Sequence, residues 1–217
     1  MKKFELTNEF VTNMFGTKLF RIRALVEFGD VEAGELGGYV EKESNLGHDD
    51  NAWVYGDARV YDNALVYDNA RVYGDAQVSG DARVYDNARV YGDAWVYGDA
   101  WVYGNALVCG NARVYDNARV YGDAWVYGNA LVCGDALVCG DARVCGNGDY
   151  AYAHGFGSVN RTTTFFRLKD GGVGVRCGCF YGTLAQFRDK IRETHGETKK
   201  AQEYLMLADL MKLRFEK

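Results

Sequence analysis

From Val54 to Val144 a valine recurs every six residues without a skipped step, and an alanine stands two places before each of these sixteen valines. In an extended chain, residues i and i−2 point the same way, so every Ala-Xaa-Val step sends Ala and Val to one side and Xaa to the other. The inward side is therefore always small and then branched. After each valine come one further outward residue, usually Tyr, and a pair drawn from Gly-Asp, Asp-Asn and Gly-Asn. Gly, Asn and Asp tolerate positive φ or hydrogen-bond to their own backbone, so these pairs turn the chain sharply every six residues. Each hexad forms one side of a coil, and self-similarity carries the coil onward.

Hexads of the form Val54-Tyr55-Gly56-Asp57-Ala58-Arg59, aliphatic in the first place and small in the fifth, resemble those of the hexapeptide-repeat left-handed β-helix family. That resemblance implies an all-β solenoid, a left-handed parallel β-helix with three hexads, or 18 residues, per triangular coil. Sixteen hexads then give about five coils and roughly 25 Å of prism at the usual strand spacing. The expected organisation is an N-terminal strand and Gly-rich cap over residues 1–50, the β-helix over 51–147, and a small ββαα module over 148–217.

Stacking at 18-residue intervals sorts the outward mid-strand residues into three faces. One carries Trp53, Arg71, Arg89, Leu107, Trp125 and Arg143; the second Arg59, Gln77, Trp95, Arg113 and Leu131; the third Leu65, Arg83, Trp101, Arg119 and Leu137. Every Trp has an Arg directly above or below it, which cation–π stacking explains as a purely structural feature. The functional alternative is an aromatic corner in which Trp95, Tyr97, Trp101 and Tyr103, bordered by Arg83, Arg113 and Arg119, meet a protein partner. At the turns twelve hexads carry one Asp, four carry none and no turn has two. Alternation of Asp with Asn or between turn places spreads like charge along the stack. The acidic nonapeptide of calcium-binding β-rolls is missing, so no metal is expected there.

Many relatives with such a coil are acyltransferases that use a catalytic His and a loop interrupting the coil. Residues 51–147 contain no His, Lys or Glu and no interruption, which leaves His48 and His154 as the candidate bases if the chain is an enzyme. Cys109 and Cys145 fall in one column two coils, or about 9.6 Å, apart, beyond disulfide reach. Cys177 and Cys179 are expected to share a strand face, and reduced thiols without a metal suit a cytoplasmic protein. Seven coil arginines spread over three faces and outnumbered by twelve aspartates form no basic stripe, which argues against a nucleic-acid ligand. No cofactor is expected.

Lys18 to Phe28 alternates as a half-buried strand, followed by "AGELGGYV" and "NAWVYGDA". This leading segment resembles that of YdcK-like hexapeptide proteins and of relatives borne by phages and prophages. After Val144 the period fails. Thr162 to Phe180 is expected to form a hairpin around Lys169-Asp170-Gly171-Gly172; Thr183 and Gln186 form a capping box for a helix closed by Gly196, and a second helix follows from about Lys199. The last part, from "FFRLKDGG" to "RETHG", resembles the terminal module of the same phage-borne relatives. Its second helix leaves Lys199, Lys200, Lys212 and Arg214 as a secondary basic face. Near this module the outward residues change to Leu131, Cys133, Leu137, Cys139 and Cys145, so either the module folds back onto its own coil or a neighbouring chain packs there.

No apolar run is long enough to span a membrane and no signal-peptide pattern opens the chain. The expectation is a cytoplasmic, non-catalytic binding or scaffold protein, homodimeric or homotrimeric, phage-encoded and acting on a host macromolecule, for example as a host-defence inhibitor. The alternatives are an acyltransferase and a small-molecule sequestering protein.

Overall fold

The computed structural model of the protein describes residues 2–156 and 160–216. Three strands, β1 (Phe4–Thr12), β2 (Lys18–Ala24) and β3 (Leu36–Val40), precede sixteen two-residue strands running from β4 (Trp53–Val54) to β19 (Arg143–Val144). The chain ends with β20 (Tyr150–Phe156), β21 (Arg161–Arg167), β22 (Val173–Cys177), β23 (Phe180–Thr183), α1 (Leu184–His195) and α2 (Lys199–Phe215). Among the described residues no helix is long and apolar enough to cross a membrane.

Strands β4 to β19 stack in parallel on three sides, each pairing with the strand three hexads on, so Gln77 lies between Arg59 and Trp95 and Val78 between Val60 and Val96. The result is a parallel β-solenoid with three hexads per turn. All sixteen repeat alanines and all sixteen repeat valines are fully buried along its axis. Backbone bonds join the turns: Trp95 N–H donates to Ala112 O at 2.9 Å and Tyr97 N–H to Val114 O at 3.0 Å.

The first residue of each turn pair from Gly56 to Gly140 has positive φ, whether it is Gly (Gly104, 71°) or Asp (Asp86, 57°). Asp in this place has a second use. Its carboxylate accepts the backbone N–H of the same place one coil on: Gly80 to Asp62 at 3.1 Å, Gly104 to Asp86 at 3.1 Å, Gly134 to Asp116 at 3.2 Å. The expected spreading of charge fails furthest at the corner where Asp57, Asp75 and Asp93 occupy the same turn place on three successive coils, and pairs such as Asp81 with Asp99 and Asp123 with Asp141 repeat it elsewhere. The three aspartates of that corner are exposed, and water and salt screen them.

The N-terminal cap continues the second side of the prism. Antiparallel β1–β2–β3 joins it through Tyr39 against Arg59 and Val40 against Val60, and Leu46 bridges to Val66 on the third side. Segment 36–46 thereby lays down two sides of a turn before the repeat begins. The alternation seen in the sequence from Lys18 to Phe28 ends as strand at Ala24. Asn45, buried, donates its side-chain amide to Asp62 O at 3.1 Å and Ala64 O at 2.9 Å, satisfying carbonyls that the end of the stack would leave open. Gly37 is required by packing: a Cβ there would lie 2.6 Å from Ile22 Cγ1 and 2.7 Å from the Trp53 ring. Trp53, expected to face outward, is fully buried beneath Phe4 and Phe28, because the cap covers the first coil on that face.

The C-terminal module has four antiparallel strands where two were expected, in the order β20–β21–β22–β23. Tyr150–Phe156 adds to one side of the anticipated hairpin and Phe180–Thr183 to the other. Cys177 and Cys179 do not share a strand face: Gly178, at φ 57°, and Cys179 form the two-residue turn between β22 and β23, and Cys177 pairs with Phe180. Both helices form as expected, α1 on the reciprocal Thr183–Gln186 cap.

The middle of β21 is buried on both sides, and the period of two in "TTTFF" distributes its residues between them. Thr164 and Phe166 face the coil: Leu137 N–H donates to Thr164 Oγ1 at 2.9 Å, and Phe166 joins the same apolar core as Ala142 and Val144. Thr163 and Phe165 face the helices, where Phe165, Val175, Phe187, Ile191, Tyr204 and Met211 form a second core. With Lys169 N–H bonded to Asp141 O and Leu168 bridged to Ala142, the module folds onto its own coil and buries Cys139. Cys145 stays exposed, and all six cysteines are free thiols.

Candidate functional site

On the third face the coil register stacks Arg83, Trp101 and Arg119. The two guanidinium carbons lie 5.0 and 4.8 Å from the Trp101 ring, one on each side, within cation–π range. The next outward column is a ladder of Tyr67, Tyr85, Tyr103 and Tyr121, whose ring centroids are 4.9, 4.9 and 5.0 Å apart with planes tilted by 3°. Because the rings stack face to face, the ladder turns ring edges to the surface, and its last rung, Tyr121, packs against the core. Tyr85 also meets Trp101 edge-on at 6.3 Å, tying the two columns together.

On the second face Arg113 stacks on Trp95 at 5.0 Å, Tyr97 meets Trp95 edge-on at 6.5 Å, and Tyr97 stacks on Tyr115 at 5.0 Å. The expected aromatic corner is therefore two clusters. Ring pairs run within each face, and none joins Trp95 or Tyr97 to Trp101 or Tyr103. Sequence reasoning missed Tyr85 and Tyr121, although the 18-residue stride that placed Arg83 and Arg119 around Trp101 also stacks these tyrosines. It also left out Trp125, 44% exposed on the first face and capped by Arg143 at 4.3 Å.

Partial burial and neighbouring tyrosines push the Tyr85 hydroxyl up to about 12, and burial raises Tyr67 and Tyr103 as well. Unfolded tyrosines titrate near 10. A raised folded-state value means that the ladder's contribution is complete below pH ~10 and is lost as pH rises through the folded values, which for Tyr85 is about 12. Above about pH 10 ionisation of the ladder should lower denaturant midpoints, in step with tyrosinate absorbance. Phe in place of Tyr85, Tyr103 and Tyr121 should flatten that fall.

A family model described as the YdcK beta solenoid repeat matches residues 52–67, 58–74, 64–80, 76–92, 82–98 and 112–128. Each match is about one coil long, and the first three begin one hexad apart, as the three-sided stacking requires. The coil is a YdcK-like β-solenoid. No curated protein sequence matches the chain.

Outside the YdcK-like coil the remaining candidates are dispersed. His48 stacks on Phe4 at 4.5 Å, and its Nδ1 accepts the Lys3 N–H at 3.2 Å. Burial lowers its pKa, so it stands neutral with the proton on Nε2, held as part of the cap. His154 lies exposed on β20, bonded to Thr162 Oγ1 at 2.8 Å and 3.7 Å from Asp135. The four basic residues of α2 do not make one face. Lys199 and Lys200 sit about 20 Å along the helix from Lys212, which pairs with Glu216 at 3.8 Å. Arg214 is tied to Asn147 O at 3.1 Å at the junction with the coil. Among the described residues no group of three or more His, Cys, Asp or Glu side chains is arranged to hold a metal ion.

Proposed function

We propose that the protein is a non-catalytic binding protein that presents the third face of its YdcK-like coil to a protein partner. The observation that carries this reading is Trp101 held between Arg83 and Arg119 beside the tyrosine ladder. Large rigid aromatics with arginines at their rim bury area at small entropic cost, which is the makeup of a binding hot spot. Trp95, Tyr97 and Arg113 extend the surface around the prism. The arrangement of His48 and His154, each bonded locally, favours binding over acyl transfer. The resemblance of both chain ends to phage-borne proteins makes a host macromolecule, such as a defence protein, the target we favour.

The test is retention of bacterial lysate proteins by the immobilised chain, compared with Trp95→Ala/Trp101→Ala. Each cation–π contact at an exposed site is worth roughly 0.5–1 kcal/mol, so the double variant should melt only modestly lower while losing the retained species. If stability falls and the same species are retained, the aromatics serve only to hold the coil and the reading is wrong.

A further inference from the structure

We propose that the cavity between α1 and the β22–β23 hairpin binds a small organic anion carrying a single flat apolar ring. The cavity has a volume of about 260 Å³. That exceeds the ~150 Å³ that accommodates benzene and falls short of the ~300–1,000 Å³ of drug-sized sites, so one ring with one charged group is the size that fits. Its floor is apolar, made by Phe180, Phe187 and Ile191. The polar groups on that floor are already partnered: Tyr204 donates its hydroxyl to Phe156 O at 3.2 Å, and Cys177 Sγ accepts from Thr163 Oγ1 at 3.1 Å. They leave nothing that demands water, and a ring can cover them.

The wall carries two cations, Arg161 and Lys190, with the His195 ring beside them. Lys190 is shared with Glu193 at 2.9 Å, whereas Arg161 and His195 have no carboxylate within salt-bridge distance among the described residues. The Arg161 guanidinium lies directly against Gly178, in space that any side-chain carbon at that turn would occupy. The absence of a Cβ therefore leaves room for Arg161 over the cavity. His195 belongs to the last turn of α1, where the helix dipole disfavours an anion, so the charged group is placed at Arg161 and the ring over Phe180 and Phe187. The surrounding chain, residues 161–217, carries 12 basic and 7 acidic residues, which draws anions towards the mouth.

The probe is phenyl phosphate, titrated calorimetrically into the full chain, with inorganic phosphate and benzyl alcohol supplying the charge and the ring separately. Saturable binding of phenyl phosphate is expected, with each half-ligand at least about tenfold weaker. Arg161→Gln should weaken binding about tenfold or more without lowering the melting temperature, and Lys190→Gln should weaken it less because Glu193 already shares that charge. Trp101→Ala should leave it unchanged, which separates this site from the coil face. No saturation by about 5 mM, inorganic phosphate binding as tightly as phenyl phosphate, or wild-type affinity in both Arg161→Gln and Lys190→Gln would each overturn the assignment.

Discussion

Val96→Asp is expected to abolish the folded coil. Val96 is fully buried and stacks in register between Val78 and Val114, in a prism whose inward repeat side chains are alanines and valines that offer a carboxylate no partner. The substitution loses roughly 1.5–3 kcal/mol of side-chain burial, and an ionised carboxylate without a partner adds several kcal/mol more. Protonation lessens that penalty and still leaves an unpaired polar group. The total approaches the ~5–15 kcal/mol that separates folded from unfolded domains. In a solenoid each turn rests only on its neighbours, so a break in the middle removes the support of both halves. Far-ultraviolet circular dichroism should show loss of β-structure, and the cooperative melt should disappear. Tyr97→Ser is the control. It removes an outward stacking partner, worth roughly 0.5–1.5 kcal/mol for each aromatic pair, and should leave a folded protein. A cooperative melt near the wild-type temperature in Val96→Asp would refute the assignment of inside and outside.

Gly104→Val should be the most damaging change at a turn, and Gly104→Asp at the same position should be mild. Gly104 has φ 71°, and a Cβ there would lie 3.0 Å from Gly122 N on the next coil. A β-branched residue at positive φ costs about 1–3 kcal/mol in backbone strain alone, and the second γ-carbon of Val meets the neighbouring backbone as well. Asp places its carboxylate where Asp62, Asp86 and Asp116 already accept a backbone N–H from the following coil. That bond, about 1 kcal/mol or more because the acceptor is charged, offsets much of the strain. Denaturant midpoints should therefore rank wild type and Gly104→Asp close together, with Gly104→Val lower by about 2–4 kcal/mol. Equal losses in the two variants would remove the role assigned to the turn aspartates.

The coil could be read directly because every hexad repeats the same local instruction. Ala and Val alternate with an outward residue at period two, and a pair able to take positive φ bends the chain at fixed intervals. The stride of 18 then orders the columns, so the stacking of Arg83 and Arg119 on Trp101 followed from arithmetic alone. Both C-terminal helices were legible for the same reason, since the Thr183–Gln186 cap and Gly196 are local signals.

Contacts between segments distant in sequence decided the rest. The hexad pattern places Trp53 on the outside like every other mid-strand residue, yet Phe4 and Phe28 bury it, because the cap must shield the apolar end of the stack. Whether Leu137 and Cys139 faced a neighbouring chain or the protein's own module depended on where the Thr164 and Phe166 side of β21 would dock, and period two alone marks both sides of that strand as buried. The cavity beneath Arg161 brings together residues from β21, the β22–β23 turn, α1 and α2, and no local pattern joins those segments. Periodicity therefore determined the coil and its columns. The caps, the division of the aromatics into two clusters and the cationic cavity were set by packing between elements, which a local pattern does not encode.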